Sequence, residues 1–184
     1  MDDYFLEWDD PLLEPYYLSC IIDEQALEGE GEWKKFYYAN RYDSGVYRIK
    51  CEYPKEDPDG VKHYVIYIGE TGDEWQGGLG HRIACYISVP HDPSSRPWGN
   101  VSTNKRVRKI VHTLVKEKKH GQIILECLPT DNCKWIEAVL LDNYQKNHDS
   151  LPVGNEQGAN PSSFDVKDPK CKLYRLVDNW RKDS

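Results

Sequence analysis

The fold is decided by one apolar stretch, His63-Tyr64-Val65-Ile66-Tyr67-Ile68. Its nearly continuous hydrophobicity predicts a strand at the centre of a sheet, buried on both faces. A second stretch, Gly45-Val46-Tyr47-Arg48-Ile49, follows a glycine with β-branched and aromatic residues, which also favours a strand. Because the connector Glu52–Gly60 is rich in turn-forming residues, we expect an antiparallel hairpin with a long tip.

Helical patterns and one more strand follow this hairpin. The periodicity predicts helices over Leu79–Ile87, Thr103–Lys119 and Lys134–Lys146, and a third strand over Gln122–Leu128. In the second of these helices, apolar residues recur on one side while lysine and arginine occupy the other. The element order β-β-α-α-β-α predicts an α/β (α+β) domain, with a small central antiparallel three-stranded sheet flanked by helices.

The N-terminal part of the chain has a different composition. Residues 1–32 contain 11 of the 31 acidic residues and none of the 24 basic ones, so the net charge of −7 is a local feature. Residues 33–184 hold 24 basic and 20 acidic residues, a balance of +4. We expect residues 1–40 to form an acidic extension with one short helix near Ile21–Leu27, and residues 41–184 to form one domain with a C-terminal tail.

Several classes of protein are excluded or disfavoured. No apolar run approaches the length of a membrane span, and the first residues are acidic where a signal peptide is basic. The six cysteines form no Cys-x-x-Cys pair, which argues against a zinc site and a disulfide framework. We therefore expect a cytoplasmic, intracellular protein with reduced thiols and no membrane partner.

Glu137 is the first residue of chemical interest. Within the Lys134–Lys146 helix it shares a face with Leu140, Leu141 and Tyr144. A carboxylate on an apolar face is costly to bury without a partner. It either meets an arginine at the margin of the core or is held on a rigid helix to coordinate a hard cation such as magnesium.

Two tyrosines and one arginine also have both a structural and a functional interpretation. Tyr47 and Tyr67 would lie on adjacent strands of the hairpin, although tyrosine is a common sheet residue. Arg82 follows a glycine-rich loop, near the start of a helix, with Tyr86 four residues later on the same face. The guanidinium either holds a phosphate there or is an ordinary surface charge.

A basic run lies in the Thr103–Lys119 helix. Such runs are usually solvated helix faces, but a basic face also suits contacts with nucleic-acid phosphates, and we keep both interpretations. The residues concerned are Lys105, Arg106, Arg108, Lys109, Lys116, Lys118 and Lys119.

The two strand motifs resemble those of the GIY-YIG nuclease family. Gly45-Val46-Tyr47 is similar to the first motif, with Val in place of the usual Ile, and Tyr67-Ile68-Gly69 matches the second. The 20 residues between Tyr47 and Tyr67 exceed the spacing of compact members, which implies an insertion over Cys51–His63. This layout is similar to that of the small stand-alone restriction endonucleases of the family.

The other motifs follow in the family's order, and the resemblance covers about residues 44–156. Arg82 and Tyr86 match the arginine, and the His or Tyr four residues beyond it, on the helix after the second motif. Glu137 corresponds to the metal-binding glutamate on a later helix. Asn155 corresponds to the asparagine that follows it and, with Gly45 and Gly69, is expected to support the site.

The resemblance implies a divalent-metal-dependent DNA endonuclease. Glu137 would bind Mg²⁺ or Mn²⁺, and Arg82 would neutralise the phosphate. Tyr47 or Tyr67 would orient or deprotonate the attacking water, with Tyr86 positioning water or the leaving group. A tyrosine normally titrates at about 10, so a role as base needs positive charge nearby to lower its pKa.

The expected function is therefore hydrolysis of double-stranded DNA, as a sequence-specific type II restriction enzyme. Cutting two strands requires two active sites, so a homodimer or transient pairing is expected. Alternatives are a non-specific defence or repair nuclease and a non-catalytic DNA-binding module on the same scaffold. The acidic residues 1–32 would contribute to the dimer interface or cover the basic surface until DNA binds.

Overall fold

The computed structural model describes residues 18–40, 43–52, 63–72, 78–87, 102–117, 121–130 and 133–158. They form one antiparallel sheet with the strand order β1-β4-β2-β3. The strands are β1 (Leu18–Ile22), β2 (Gly45–Glu52), β3 (His63–Thr71) and β4 (Gln122–Pro129). The helices are α1 (Glu24–Leu27), α2 (Gly31–Asn40), α3 (Gly78–Ile87), α4 (Ser102–Glu117) and α5 (Cys133–His148). The mixed α/β class and the antiparallel sheet are thus confirmed.

Two expectations about the sheet are wrong. It has four strands, because β1 pairs with β4, where the sequence predicted three. The apolar strand β3 lies at an edge of the described sheet and pairs only with β2 there, so it is not central. Its apolar residues are nevertheless buried, because helices cover both of its faces.

The N-terminal segment enters the fold earlier than expected. The predicted helix Ile21–Leu27 is instead a strand that ends at Ile22 and a short helix that begins at Glu24. The Asp23 side chain separates them, accepting a hydrogen bond of 2.9 Å from the Ala26 amide as an N-cap. Since Ile22, Leu27 and Trp33 are buried in the core, residues 18–40 belong to the same packed body as the sheet.

Two acidic residues of the N-terminal segment form ion pairs with lysines of α2. Glu30 pairs with Lys34 at 2.8 Å and Glu32 pairs with Lys35 at 2.7 Å along α2. Deleting the acidic residues 1–32 would remove β1 and α1 together with their charges. The DNA affinity of such a variant would therefore reflect the loss of packed structure as well as the loss of negative charge.

Helices pack on both faces of the sheet and create two hydrophobic clusters. On one face, α5 covers residues of β2, β3 and β4 that include Val46, Ile68 and Leu128. On the other face, α1 to α4 cover a larger cluster that contains Tyr47, Ile49 and Leu125. Residues alternate between these two clusters along β2, as the pleat of a strand requires.

Tyr67 projects to the side of the sheet that carries Tyr47. It pairs with Ile49, two residues from Tyr47, in the same regular register that sets Gly69 opposite Tyr47. A bulge lies next to this pair, because Lys50 pairs with Val65 and Ile66 has no paired residue in β2. Ile66 and Tyr67 consequently both contribute to the cluster under α3 and α4.

A buried ion-pair network fixes the register between β2 and β4. Arg48 lies directly opposite Glu126, and its Nε donates to Glu126 Oε2. Lys50 Nζ lies 2.8 Å from the other carboxylate oxygen. Burial raises the pKa of Glu126, but the charges of Arg48 and Lys50 outweigh it and the net effect is a lowered pKa.

Helix α4 has the amphipathic character that its sequence indicates. Val107 and Val111 are fully buried and Val115 nearly so, while Ile110 and Leu114 are partly buried against the same cluster. Its predicted last residues, Lys118 and Lys119, lie outside the described residues, as do the hairpin tip and the C-terminal tail.

The loop after α5 pairs with the outer edge of β3. The Gly154 amide donates to the Ile66 carbonyl at 2.7 Å. The Asn155 side chain accepts from the Ile68 amide at 3.0 Å and donates to the Ile68 carbonyl at 2.7 Å. A side-chain amide thus satisfies the backbone groups that an edge strand exposes.

This close approach requires glycine at position 154. A Cβ there would lie 2.8 Å from the Ile66 carbonyl oxygen, 3.0 Å from Val107 Cγ2 and 3.2 Å from Tyr67 Cδ2. We expect Gly154→Ala to lower the free energy of unfolding by about 1–3 kcal/mol through overpacking, measured by urea denaturation. Gly158→Ala is the control, because its Cβ would first meet the flexible Gln145 side chain at 3.2 Å. Equal stability of the two variants would contradict this packing.

Candidate active site

Three tyrosine side chains meet beneath helix α3. The ring centroids of Tyr47 and Tyr67 are 6.1 Å apart, those of Tyr47 and Tyr86 6.0 Å, and those of Tyr67 and Tyr86 5.2 Å. The Tyr47 hydroxyl donates to Tyr86 at 3.2 Å, and the Tyr86 hydroxyl donates to Tyr67 at 3.5 Å. The structure thus brings together all three tyrosines that the sequence singled out, in one hydrogen-bonded chain.

The two motif glycines make room for this cluster. Tyr47 lies opposite Gly69 in the β2–β3 pair, and a Cβ at Gly69 would lie 2.7 Å from the Tyr47 hydroxyl. A Cβ at Gly45 would lie 2.5 Å from the Leu128 carbonyl oxygen and 2.9 Å from Leu79 Cδ1. A side chain at either position would therefore clash with its neighbours, as expected of glycines that support the site.

Arg82 is positioned over the tyrosines by α3. Its guanidinium carbon lies 5.9 Å from the centroid of the Tyr86 ring, one helical turn away, and its side chain hydrogen-bonds Tyr47. Burial lowers the pKa of Arg82, but the phenol oxygens of Tyr47, Tyr86 and Tyr67 raise it more, so the side chain remains a cation. Its Nε is buried and has no hydrogen-bond partner in the described part of the chain.

The phenols are held in their neutral form. Burial is the largest cause of the raised pKa of Tyr47, followed by the neighbouring tyrosines, and Arg82 offsets only part of the shift. The pKa of Tyr67 is raised by the same causes and also by the charge of Glu137. At neutral pH these residues are therefore hydrogen-bond donors rather than bases, unless further positive charge is added.

Glu137 reaches the same cluster from α5. Its pKa is raised to about 7: burial is the largest cause, the charge of Glu70 also raises it, and the charge of Arg82 partly offsets them. Leu140 and Leu141 on the same helix face are buried, as the sequence predicted. Glu137 thus lies at the margin of the core and within the field of an arginine, as the first of its two interpretations holds, and its role as a cation ligand stays a prediction.

Two neighbouring contacts escaped the sequence analysis. Glu70 directly follows Gly69, and its proximity to Glu137 depends on the packing of α5 against β3. The Tyr37 hydroxyl lies 3.0 Å from His81 Nε2, which ties α2 to α3 next to Arg82. The sequence does contain one indication of Glu70, since it is a carboxylate near the end of an otherwise apolar strand. Nothing in the sequence indicates the contact between Tyr37 and His81.

The basic residues of α4 lie mostly in solvent. The side chains of Lys105, Arg106, Lys109 and Lys116 are exposed, and that of Arg108 is partly buried. Arg106 forms an ion pair of 3.5 Å with Glu156, the residue after Asn155. This pair connects the basic face to the loop that covers the β3 edge.

The arrangement offers a cation, a chain of phenols and two carboxylates. Within the described ranges, no group of three or more His, Cys, Asp or Glu side chains could hold a metal ion. No helix in the described part of the chain is long and apolar enough to cross a membrane. No family model, curated protein or solved structure matches the chain.

The raised pKa of Glu137 predicts a pH-dependent stability. Its ordinary pKa is 4.5 and its folded value about 7, so between these pH values folded molecules hold a proton that unfolded molecules release. Stability therefore falls as pH rises through this window. Without divalent cations, we expect Glu137→Gln to exceed the parent in free energy of unfolding by about 2–3 kcal/mol at pH 8 and to match it at pH 4.

The control for this comparison is Asp142→Asn. It removes a carboxylate from the same helix, where Asp142 forms a surface pair of 2.8 Å with Lys146. Urea denaturation at the two pH values measures the effect. A Glu137→Gln protein that is no more stable than the parent at pH 8 would show that the Glu137 carboxylate is not destabilised in the fold.

Proposed function

We propose that this chain is a divalent-cation-dependent DNA endonuclease of the GIY-YIG type. The observation that carries the proposal is the convergence of five side chains from four elements at one end of the β2–β3 pair. Tyr47, Tyr67 and Tyr86 share one hydrogen-bonded chain, Arg82 donates into it, and Glu137 is within electrostatic range of both Arg82 and Tyr67.

The carboxylates fit a hard divalent cation. Mg²⁺ and Mn²⁺ prefer oxygen ligands, and Mg²⁺ commonly uses one or two carboxylates with water and phosphate oxygens completing its coordination. Glu137 would hold the cation. The buried Glu70 Oε2, which has no partner within the described ranges, is the kind of atom that a cation would satisfy. When bound, the cation supplies charge stabilisation at the phosphate and lowers the pKa of water.

The remaining residues have separable roles in phosphodiester hydrolysis. Arg82 would bind a phosphate oxygen and offset the charge that develops on it, since its Nε is a buried donor with no partner among the described residues. Tyr67 is the most exposed of the three tyrosines at 6 %, whereas Tyr47 and Tyr86 are fully buried. We therefore assign the orientation of the attacking water to Tyr67, with Tyr47 and Tyr86 holding its hydroxyl in place.

The exposed face of α4 would contact the DNA backbone. Lys105, Arg106 and Lys109 are exposed at the end of α4 that is linked through Glu156 to the Asn155 loop. Contacts of this kind are insensitive to base sequence and weaken as salt increases. Double-strand cleavage at a specific site would in addition require two copies of the active site, so the proposal includes a homodimer on DNA.

The decisive experiment is cleavage of supercoiled and phage DNA with Mg²⁺ or Mn²⁺, comparing the parent with Glu137→Gln. A metal ligand contributes several kcal/mol to transition-state stabilisation, so we expect the variant to lose at least about 100-fold in rate. Asp142→Asn is the matched control on the same helix and should cut at the parental rate. Glu137→Gln at the parental rate would contradict the assigned cation site.

The products distinguish the alternative functions. Discrete fragments that depend on Glu137 are the result expected of a sequence-specific restriction enzyme. A smear that depends on Glu137 would indicate a non-specific nuclease. DNA binding without cleavage under any divalent cation would favour a non-catalytic binding module.

A further inference from the structure

Glu70 lies between the tyrosine strand and the glutamate helix. It follows Gly69 in β3 and pairs with Val46 of β2. Val46 belongs to the hydrophobic cluster under α5, and paired residues in an antiparallel sheet project to the same face. The Glu70 side chain therefore extends towards α5, on the opposite side of the sheet from Tyr47.

The first turn of α5 contacts Glu70 directly. A Cβ placed on Gly72 would lie 2.4 Å from Cys133 Sγ and 3.5 Å from Glu70 Oε2, so these two atoms lie on the same side of the strand end. Burial is the largest cause that raises the pKa of Cys133 to about 12, and the charge of the neighbouring Glu70 carboxylate is the next. Cys133 and Glu137 are one helical turn apart on one face of α5, which brings Glu137 towards the same carboxylate.

One oxygen of Glu70 has no partner among the residues that the structure describes. Glu70 Oε2 is buried and accepts no hydrogen bond from any of them. A buried carboxylate oxygen without a partner is costly, and a second carboxylate nearby increases the cost. This feature is independent of the sequence motifs, and a positively charged ligand between the two carboxylates would relieve it.

Building on the proposed function, we infer that Glu70 is a second carboxylate ligand of the divalent cation that Glu137 holds. The two side chains come from facing elements, β3 and α5, so the cation would join the strand that carries Tyr67 to the helix that carries Glu137. Cys133 lies beside the Glu70 carboxylate at the first turn of α5. Two carboxylates leave positions for water and a phosphate oxygen, as a hydrolytic site requires.

The test is direct binding of Mn²⁺ to the full chain without DNA. The electron paramagnetic resonance signal of free Mn²⁺ measures how much of the ion remains unbound. The variant is Glu70→Gln, which keeps the shape but removes the charge. We expect its affinity for Mn²⁺ to fall about tenfold or more, as Glu137→Gln should also do. Asp142→Asn should bind as the parent does.

Thermal unfolding without divalent cations separates this role from a structural one. Removing one of two neighbouring buried carboxylates should leave the melting temperature of Glu70→Gln equal to or above that of the parent. Weaker Mn²⁺ binding by a protein of undiminished stability therefore supports a ligand role. If Glu70→Gln melts earlier, Glu70→Asp, which keeps the charge but shortens the side chain, should still bind Mn²⁺ more weakly than the parent.

The outcomes distinguish this inference from the proposed function. Parental Mn²⁺ affinity in Glu70→Gln or in Glu70→Asp, with weakened binding in Glu137→Gln, would overturn the role of Glu70 and leave the nuclease proposal intact. A parent that binds no Mn²⁺ at millimolar concentration, and cuts no DNA with it, would overturn both.

Discussion

The pairing of β2 with β3 is the constraint on which the rest of the arrangement depends. It sets Gly69 opposite Tyr47, so that the Tyr47 phenol occupies the space that a side chain at position 69 would fill. The same register pairs Tyr67 with Ile49 and so keeps Tyr67 on the face of Tyr47, and the Asn155 loop pairs with the outer side of the strand at Ile68. A shift of one residue in this register would separate the tyrosines and leave the loop without its partners.

The electrostatics of the cluster follow from its position at the margin of the core. Burial raises the pKa of Tyr47, of Tyr67 and of Glu137, and Arg82 offsets only part of that effect. The cluster thus combines neutral phenols, a carboxylate whose charged form is disfavoured and a partly buried guanidinium. Such a combination is costly for a purely structural core and is typical of functional sites.

The sequence predicts local features of this fold better than it predicts its spatial relations. Helix α4 and strands β2 to β4 were recognisable because their apolar residues recur with the period of one structure. Strand β1 was not predicted, because its last two residues, Ile21 and Ile22, also fit the start of a short helix through Leu27. Only the pairing of β1 with β4 establishes that they belong to a strand. The edge position of β3 was hidden because helices on both faces make an edge strand as apolar as a central one. Glu70 was missed because its importance depends on α5, more than 60 residues further along the chain.

The central claim is that the tyrosine cluster, Arg82 and Glu137 act as one catalytic unit. The most direct test is the rate of DNA cleavage by Arg82→Leu, by Glu137→Gln and by the double variant, under single-turnover conditions with Mg²⁺. Residues that act as a unit are non-additive, so the account predicts that the double variant is no slower than the slower single variant. Multiplicative losses, or parental rates in both single variants, would contradict it.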